Sequence, residues 1–335
     1  MEGGPDRGRH PVAGVDYPST FQELLAWFPD EESCLEYLAR LRWPQGFVCP
    51  QCTATRSWRT GAGLWMCAEC GRKTSVTAGT IFHRTRTPLS TWFAAIWFVT
   101  STKNGISAAA LQQNLGFGSY ETAWAWLHKL RRAMVRPDRE RLGGPAEAGD
   151  AGRSVDRVEV DETYVGGVAA GRPGGSSFKV PVMIAVERIG AQRLGRVRLE
   201  TTEYPGSLES VHFAARVVTP GALIATDGAR MFRRLADMGY RHTYVTGYNA
   251  GDLEQVLPGA HRVASLLKRW LIGTLHHGVS HQHLPYYLDE FTFRFNRRTA
   301  KARGLLFYRL MQQAANTDPH PLEQLIRPDS PRIPW

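Results

Sequence analysis

The chain has 335 residues, which suffices for two or three domains of ordinary size, and 43% of them are hydrophobic, which is enough for sizeable buried cores. Its net charge of +10 favours an anionic partner, for which nucleic acid is the first expectation, although a basic surface without a partner would give the same figure. The polar residues 1–17 are predicted to be disordered, and no apolar run is long enough to span a bilayer. We therefore expect a cytoplasmic protein without membrane contact.

Residues 18–44 are predicted to form two N-terminal helices. Ser19 and Thr20 can cap the first helix. Asp30, Glu31 and Glu32 lie in the first turn of the second, where the helix dipole favours negative charge. Cys34 falls in the apolar stripe of the second helix. We interpret it as a core residue rather than a metal ligand.

Residues 45–85 contain the strongest local motif of the chain, two Cys-x-x-Cys pairs separated by fourteen residues. The pairs consist of Cys49, Cys52, Cys67 and Cys70. Disulfides are rare in the cytosol, whereas two such pairs close a tetrahedral site for Zn²⁺. We predict a zinc ribbon in which four thiolates leave no open position, so that the Zn²⁺ is structural.

Residues 86–142 are predicted to form a helical DNA-binding domain. A mostly apolar helix at Leu89–Thr100 is followed by a short helix after Ser107 and a longer one after Ser119, with a glycine turn between the last two. Short helix, turn and longer helix is the helix-turn-helix pattern. Any helical hairpin could give the same pattern, so DNA binding here is a hypothesis. Basic residues of the longer helix are Lys129, Arg131 and Arg132.

Residues 143–154 have the composition of a linker. A predicted α/β domain follows at 155–310, ahead of a Pro-rich tail at 311–335. Three strands with short turns come first, and then helix and strand alternate twice before a long helix. That order is typical of an RNase H-like fold. The predicted strands are Arg157–Gly167, Lys179–Arg188, Gly195–Thr202, Ala222–Thr226 and one near His242–Val245.

Two of these strands deliver an aspartate near their ends. Asp161 lies in the first strand, and Asp227 directly follows the fourth. His261 comes 34 residues after Asp227 and opens a helical run that carries Lys268 seven positions later, on the same face. Carboxylates at strand ends can hold a metal ion in a cleft, although most such acids are merely solvated. Glu162 is adjacent, but alternation along a strand turns it to the face opposite Asp161.

The set of Asp161, Asp227, His261 and Lys268 resembles the DDE triad of transposases and retroviral integrases. The surrounding sequence is similar to insertion-sequence transposases of the ISXO-like group, which have an N-terminal zinc ribbon and a variable third catalytic residue, Glu, Asn or His. The resemblance covers most of residues 20–310. The stretches that carry it are Phe28–Cys52, Lys103–Met134, Val158–Gly167, Thr226–Arg230 and His261–Arg298.

This resemblance implies a retroviral-integrase-like, RNase H-like catalytic domain that uses two divalent ions, Mg²⁺ or Mn²⁺. Asp161 would bridge the two ions, Asp227 and His261 would each complete one of them, and Lys268 would hold a backbone phosphate. Imidazole is a weaker partner than carboxylate for Mg²⁺. Three interpretations of His261 therefore stay open: a native Asp-Asp-His enzyme, which we favour, a shift toward Mn²⁺, or a weakened copy.

The resemblance also implies the function. We expect a transposase that binds the terminal inverted repeats of its own element, cuts the DNA and joins it to target DNA. Its partners would be double-stranded DNA and a second copy of the chain, in the cytoplasm with the nucleoid. Two alternatives are a catalytically inactive zinc-ribbon DNA-binding protein derived from a transposase, and a general RNase H-like nuclease.

Overall fold

The computed structural model describes residues 10–135, 139–144, 154–166, 179–244, 257–275 and 280–328. The chain divides into two compact units. The first unit comprises Met1–Arg136 and Thr299–Arg327, and the second comprises Pro137–Arg298 together with Pro328–Trp335. Within the described residues, no helix has both the length and the apolar character that crossing a membrane requires.

The first unit begins with two capped helices, α1 (Phe21–Trp27) and α2 (Glu31–Arg42). The Thr20 hydroxyl accepts the N–H of Glu23, and the Asp30 carboxylate accepts the N–H of Ser33. Thr20 is one of the two capping residues that the sequence predicts, whereas Asp30, expected in the first turn of α2, is its cap. Cys34 is fully buried in α2, and burial raises the pKa of its thiol to about 12, which suits a core residue and not a metal ligand.

A small antiparallel sheet follows, with strands β1 (Ser57–Arg59), β2 (Trp65–Cys67) and β3 (Lys73–Thr74) in that order. Trp65 stacks on Phe47, with ring centroids 5.9 Å apart and an interplanar angle of 5°. This hairpin and strand form the predicted ribbon.

Three helices come next, α3 (Leu89–Ser101), α4 (Ala108–Leu115) and α5 (Tyr120–Ala133). The hydroxyls of Ser107 and Ser119 cap α4 and α5, as the sequence predicts. Gly116 ends α4 with φ of 65°, a conformation that favours glycine. Trp92 of α3 stacks on Trp126 of α5, with ring centroids 3.4 Å apart, and fixes these two helices against each other.

The chain returns to the first unit after Arg298. Helices α10 (Arg303–Ala314) and α11 (Leu322–Ile326) belong there. Phe307 is fully buried, with its ring centroid 5.8 Å from Trp97 and 6.0 Å from Phe93 of α3. By contacts, the boundary therefore lies near residue 298 rather than at the predicted 310, because the apolar face of α10 is buried against α3.

Other boundaries also differ from the sequence expectation. Residues 10–17, predicted to be disordered, include a buried Tyr17 that forms a bridge with Ala13. Residues 311–328 contain helical turns rather than a loose tail. Leu142, predicted to end the helical domain, pairs with Val218 of the second unit. Residues 1–9, most of the predicted linker and the last seven residues lie outside the described part of the chain.

The second unit is built on a five-stranded mixed sheet. Its strands are β4 (Arg157–Val165), β5 (Val180–Ile189), β6 (Arg193–Thr201), β7 (Leu223–Thr226) and β8 (Arg241–Tyr244), in the order β6-β5-β4-β7-β8. The first three pair antiparallel, whereas β7 is parallel to β4 and β8 is parallel to β7. This is the predicted chain order, and it agrees with an RNase H-like sheet.

Helices cover both faces of this sheet. On one face, α6 (Leu208–Val217) and α7 (Arg234–Asp237) pack on Val158 and Val160 of β4. The other face is covered by α8 (Pro258–Leu275) and α9 (Leu284–Asn296). Alternation along β4 turns Glu159 and Asp161 toward that second face. A short 3₁₀ turn at Arg230–Arg233 precedes α7, where the sequence predicts one continuous helix.

Gly304 tests whether α10 is an integral part of the first unit. A Cβ at this position would lie 1.8 Å from the carbonyl oxygen of Pro18 and 2.7 Å from the ring of Tyr17. We expect Gly304→Ala to lower the free energy of unfolding by about 1–3 kcal/mol, although alanine normally favours a helix. Chemical denaturation measures the change. Gly118→Ala, which meets nothing within 4 Å, is the matched control, and equal stability of the two variants would contradict the packing of α10 described above.

Candidate active site and zinc site

Four cysteine thiols converge in the ribbon. The sulfur atoms of Cys49, Cys52, Cys67 and Cys70 all lie within 4.8 Å of one another. Two of the separations, Cys49–Cys70 and Cys52–Cys67, are 3.6 Å and 3.5 Å. Sulfurs bound tetrahedrally at about 2.3 Å from one Zn²⁺ are about 3.8 Å apart, so the cluster fits that ion.

The backbone around Cys49 also favours the thiolate that Zn²⁺ requires. Burial raises the pKa of the Cys49 thiol, but hydrogen bonds from the backbone N–H groups of Cys52 and Gln51, together with those from the Cys52 and Cys70 thiols, outweigh burial and lower the pKa to about 6. The Cys-x-x-Cys turn thus places two N–H donors at the first sulfur. Within the described residues, this is the one group of three or more His, Cys, Asp or Glu side chains close enough to share a metal ion.

In the second unit, β4 and α8 bring Asp161 and His261 together. Nε2 of His261 lies 3.3 Å from Oδ2 of Asp161. The Asp161 side chain is 18% exposed and that of His261 is 49% exposed, so the pair opens to solvent. Neighbouring ligands on one octahedral ion at about 2.1 Å are about 3.0 Å apart, so the pair fits two adjacent positions on a divalent ion.

Lys268 shares a cleft with this pair. The cleft has a volume of 530 Å³, and on α8 it is lined by His261, Ala264, Ser265 and Lys268, one stripe of the helix. Glu162 and Thr163 of β4 complete the lining beside Asp161. Glu162 therefore lines the cleft together with Asp161, which strand alternation does not predict, and both residues are partly exposed.

Asp227 stands apart from the lining of this cleft. It directly follows β7, next to β4 in the sheet, and its Oδ1 accepts the N–H of Ala229 at 3.2 Å. The carboxylate is nevertheless close enough to Asp161 and Glu162 to raise the pKa of each. Three of the four predicted catalytic residues thus border one cleft, and the fourth acts on it electrostatically.

Desolvation dominates the electrostatics of the cleft. Burial raises the pKa of Asp161, and the Asp227 and Glu159 carboxylates add to this effect, whereas the N–H of Glu162 and the His261 ring oppose it. Burial likewise raises the pKa of Glu162, with further contributions from Asp161 and Asp227. Partly buried carboxylates that repel each other form a site suited to a divalent cation.

Sequence reasoning missed Glu159, two residues before Asp161. Its side chain is fully buried, and Oε2 accepts the N–H groups of Gly259 and Ala260 in the first turn of α8, at 2.7 Å and 3.0 Å. The signal was available, because a charged residue in the middle of a central strand must find partners.

The basic residues of α5 are engaged within the first unit. Arg131 is 2% exposed, and Arg132 donates to the carbonyl oxygen of Gln324. Lys129 lies 6.0 Å from the ring centroid of Trp92, and burial lowers its pKa. The exposed part of α5 is its first turn, where Tyr120 is 54% exposed.

Comparisons with known proteins match both units. A family described as the transposase zinc-ribbon domain matches residues 29–73, which include all four cysteines. The ISXO2-like transposase domain matches residues 153–296, which include Asp161, Asp227, His261 and Lys268. The chain thus contains an ISXO2-like transposase domain preceded by a transposase zinc-ribbon domain.

One relative of this chain is itself encoded in a transposable element. An uncharacterized protein in transposable element ISH50 of Halobacterium salinarum is 29% identical over 283 residues. The alignment covers 80% of this chain and 91% of the relative. It is therefore longer than either matched domain.

Removing one ribbon thiol should release the metal. We expect Cys52→Ser to lower the zinc content from one ion per chain to near zero and to melt the ribbon, because structural zinc sites contribute their binding energy to folding. Metal analysis and near-UV circular dichroism measure the two effects. Cys34→Ala, which removes the fifth cysteine, should keep one zinc ion per chain, and loss of zinc there would contradict the assignment of the ligands.

Proposed function

We propose that this protein is a DNA transposase that binds the terminal inverted repeats of its own insertion sequence, cleaves the 3′ strands and transfers them to target DNA. The observation that carries the proposal is the cleft bordered by Asp161, His261 and Lys268 within an ISXO2-like transposase domain. The basic net charge of +10 supports an extended DNA partner.

In this proposal Asp161, Asp227 and His261 hold the divalent ions, Mg²⁺ or Mn²⁺. Bound there, such ions activate the attacking oxygen and stabilise charge on the leaving one. The carboxylates supply the hard oxygen ligands, and the partial burial of Asp161 excludes water from one side of the site. Lys268, two turns along α8 from His261, holds the phosphate next to the reacting one.

The proposed reaction balances without another reactant. Water attacks phosphorus at the element end, the bond from phosphorus to the 3′ oxygen breaks, and a 3′-hydroxyl and a 5′-phosphate result. That hydroxyl then attacks a phosphodiester of the target, forms one phosphorus–oxygen bond and breaks another. One bond forms for each bond that breaks. The same carboxylate site serves both steps because both are in-line displacements at phosphorus.

The first unit would supply DNA recognition. Helices α4 and α5 have the lengths and the glycine turn of a helix-turn-helix, in which the N-terminal residues of the second helix contact base edges. The exposed first turn of α5 favours that mode. We further propose at least a dimer on two paired ends, acting where the chromosomal DNA lies.

One observation favours a second function. Asp227 does not border the cleft, and its Oδ1 is engaged by a backbone N–H group. A protein that keeps the DNA-binding unit but cannot bring Asp227 to a metal ion would be a catalytically inactive DNA-binding protein. Cleavage by the wild-type chain distinguishes the two functions.

The first experiment offers labelled duplexes from both flanks of the gene to the purified protein, with Mg²⁺ or with Mn²⁺. We expect site-specific 3′ nicking at an inverted repeat, abolished by Asp227→Ala and by Asp161→Ala and reduced by at least about 100-fold by His261→Ala. Tight repeat binding without cutting in either metal would support the inactive protein. Nicking without regard to sequence would support a general nuclease, and full activity of His261→Ala in Mg²⁺ would remove His261 from the ligand set.

A second prediction separates the two parts of α5. Tyr120→Ala and Thr122→Ala should reduce the preference for the repeat over random DNA by about tenfold, because these exposed residues lie where base contacts are expected. Lys129→Ala should instead lower thermal stability and leave the salt dependence of binding unchanged. Fluorescence anisotropy at several salt concentrations measures both effects. A salt slope that fell by about one for Lys129→Ala would show a phosphate contact and contradict its internal role.

A further inference from the structure

Glu159 is a buried carboxylate on the same face of β4 as Asp161. Its side chain has no exposed surface. Oε1 lies 3.0 Å from Nη2 of Arg157 and 3.4 Å from Nε of Arg188, and Oε2 accepts two backbone N–H groups of α8. The two guanidinium groups compensate its charge, and both oxygens of the carboxylate are used.

The start of α8 needs this acceptor. The first N–H groups of a helix have no partner within the helix. Pro258 has no N–H, and His261 already donates to the carbonyl oxygen of Leu257 at 3.0 Å, so Gly259 and Ala260 are the donors left over. One oxygen of Glu159 satisfies both, and its charge lies at the positive end of the helix dipole.

These hydrogen bonds join the backbone segments that carry Asp161 and His261. Glu159 is two residues from Asp161 along β4, and Ala260 is the residue before His261. The backbone segments that carry Asp161 and His261 are therefore tied together directly beneath the 3.3 Å contact between their side chains. A shift of the helix start would move His261 relative to Asp161.

Gly259 makes this close approach possible. A Cβ at this position would lie 2.7 Å from Oε2 of Glu159 and 2.8 Å from Cδ of Arg188. Any larger residue would therefore push the first turn of α8 away from β4. The absence of a side chain at Gly259 and the Glu159 carboxylate together allow the first turn of α8 to pack closely on β4.

We propose that Glu159 is a positioning residue that clamps the first turn of α8 to β4 and so sets His261 opposite Asp161 for metal binding and DNA cleavage. The proposal rests on the proposed transposase function for its activity test, and on the structure alone for a second test. Its purely structural alternative is a carboxylate that only neutralises Arg157 and Arg188.

Glu159→Gln tests the clamp with little change in volume. In either orientation of the amide, its NH₂ group faces donors, namely the two guanidinium groups or the N–H groups of Gly259 and Ala260. We expect single-turnover cleavage to fall roughly 10- to 100-fold while repeat binding stays unchanged. Glu187→Gln is the matched control, because Glu187 is an equally buried carboxylate on β5 that accepts the N–H groups of Gly143 and Arg196.

A double-variant comparison separates positioning from general stability. If Glu159 acts through His261, adding Glu159→Gln to His261→Ala should change the remaining rate by no more than about twofold. Glu187→Gln should have the same small effect in both backgrounds. An undiminished loss from Glu159→Gln in the His261→Ala background, or no loss in the wild-type background, would overturn the proposal.

Gly259→Ala tests the same clamp from the side of the helix. It should reproduce the loss of Glu159→Gln. Gly195→Ala is the matched control, because its Cβ would meet Oε2 of Glu187 at 2.5 Å, a comparable clash with a different buried carboxylate of the same unit. Gly273→Ala, which meets nothing within 4 Å on α8 itself, should leave the rate unchanged. Equal rates for Gly259→Ala and Gly195→Ala would contradict a specific role for the clamp.

Hydrogen exchange provides the test that needs no activity. In full-length protein labelled with ¹⁵N-glycine and ¹⁵N-alanine, the Gly259 and Ala260 amides should exchange at least about tenfold faster in Glu159→Gln than in wild type, with the interior of α8 unchanged. If wild type does not cleave DNA, the proposed function fails, and this measurement still decides the clamp. Unchanged exchange at both amides would overturn the clamp even in an active transposase.

Discussion

The second unit depends on the burial of β4 in the middle of its sheet. β4 pairs antiparallel with β5 along its whole length and parallel with β7, and helices cover both of its faces. A strand that is covered on both faces cannot slip by one residue without moving Val158 and Val160 out of their apolar cluster and turning Glu159 and Asp161 into it. Register is therefore fixed along the segment that carries Asp161. The placement of the cleft follows from that register, because α8 packs on the same face.

The sequence predicted this architecture well where local signals and long-range packing agree. The alternating valines of β4, the predicted cap at Thr20 and the helix starts at Asp30, Ser107 and Ser119 each indicated their elements correctly, because the same residues determine both local conformation and burial. The C-terminal boundary of the predicted α/β domain could not be predicted in this way. The apolar stripe of α10 shows that the helix is buried but not against what, and only the packing of Phe307 beside Trp97 assigns it to the first unit.

The candidate site, too, was predictable from the sequence only in part. Spacing and strand ends indicated Asp161, His261 and Lys268, which border one cleft, whereas Asp227 makes a local turn contact that sequence cannot reveal. The exposure of the basic residues of α5 was the least predictable feature, because a charged residue on an amphipathic helix is expected to be exposed unless its partners are known. The guanidinium of Arg131 is buried. Glu159 was missed because its partners on Arg188 and α8 are distant in sequence, although its position in a strand covered on both faces was a sign that it must be paired.

The presence of histidine at position 261 affects the electrostatics of the metal-free cleft. Asp161 already has a raised pKa from burial, and the nearby carboxylates of Asp227 and Glu159 raise it further. A third acid in place of His261 would add another negative charge within 3.3 Å, whereas the His261 ring opposes the shift. Imidazole binds Mg²⁺ less well than carboxylate does. In the proposed metal site, histidine would thus exchange part of the affinity for a hard cation for lower electrostatic repulsion in the metal-free cleft. A weaker metal ligand gains less binding energy to offset the cost of reorienting its side chain. The imidazole ring would therefore have to be positioned accurately by the backbone before a metal ion binds.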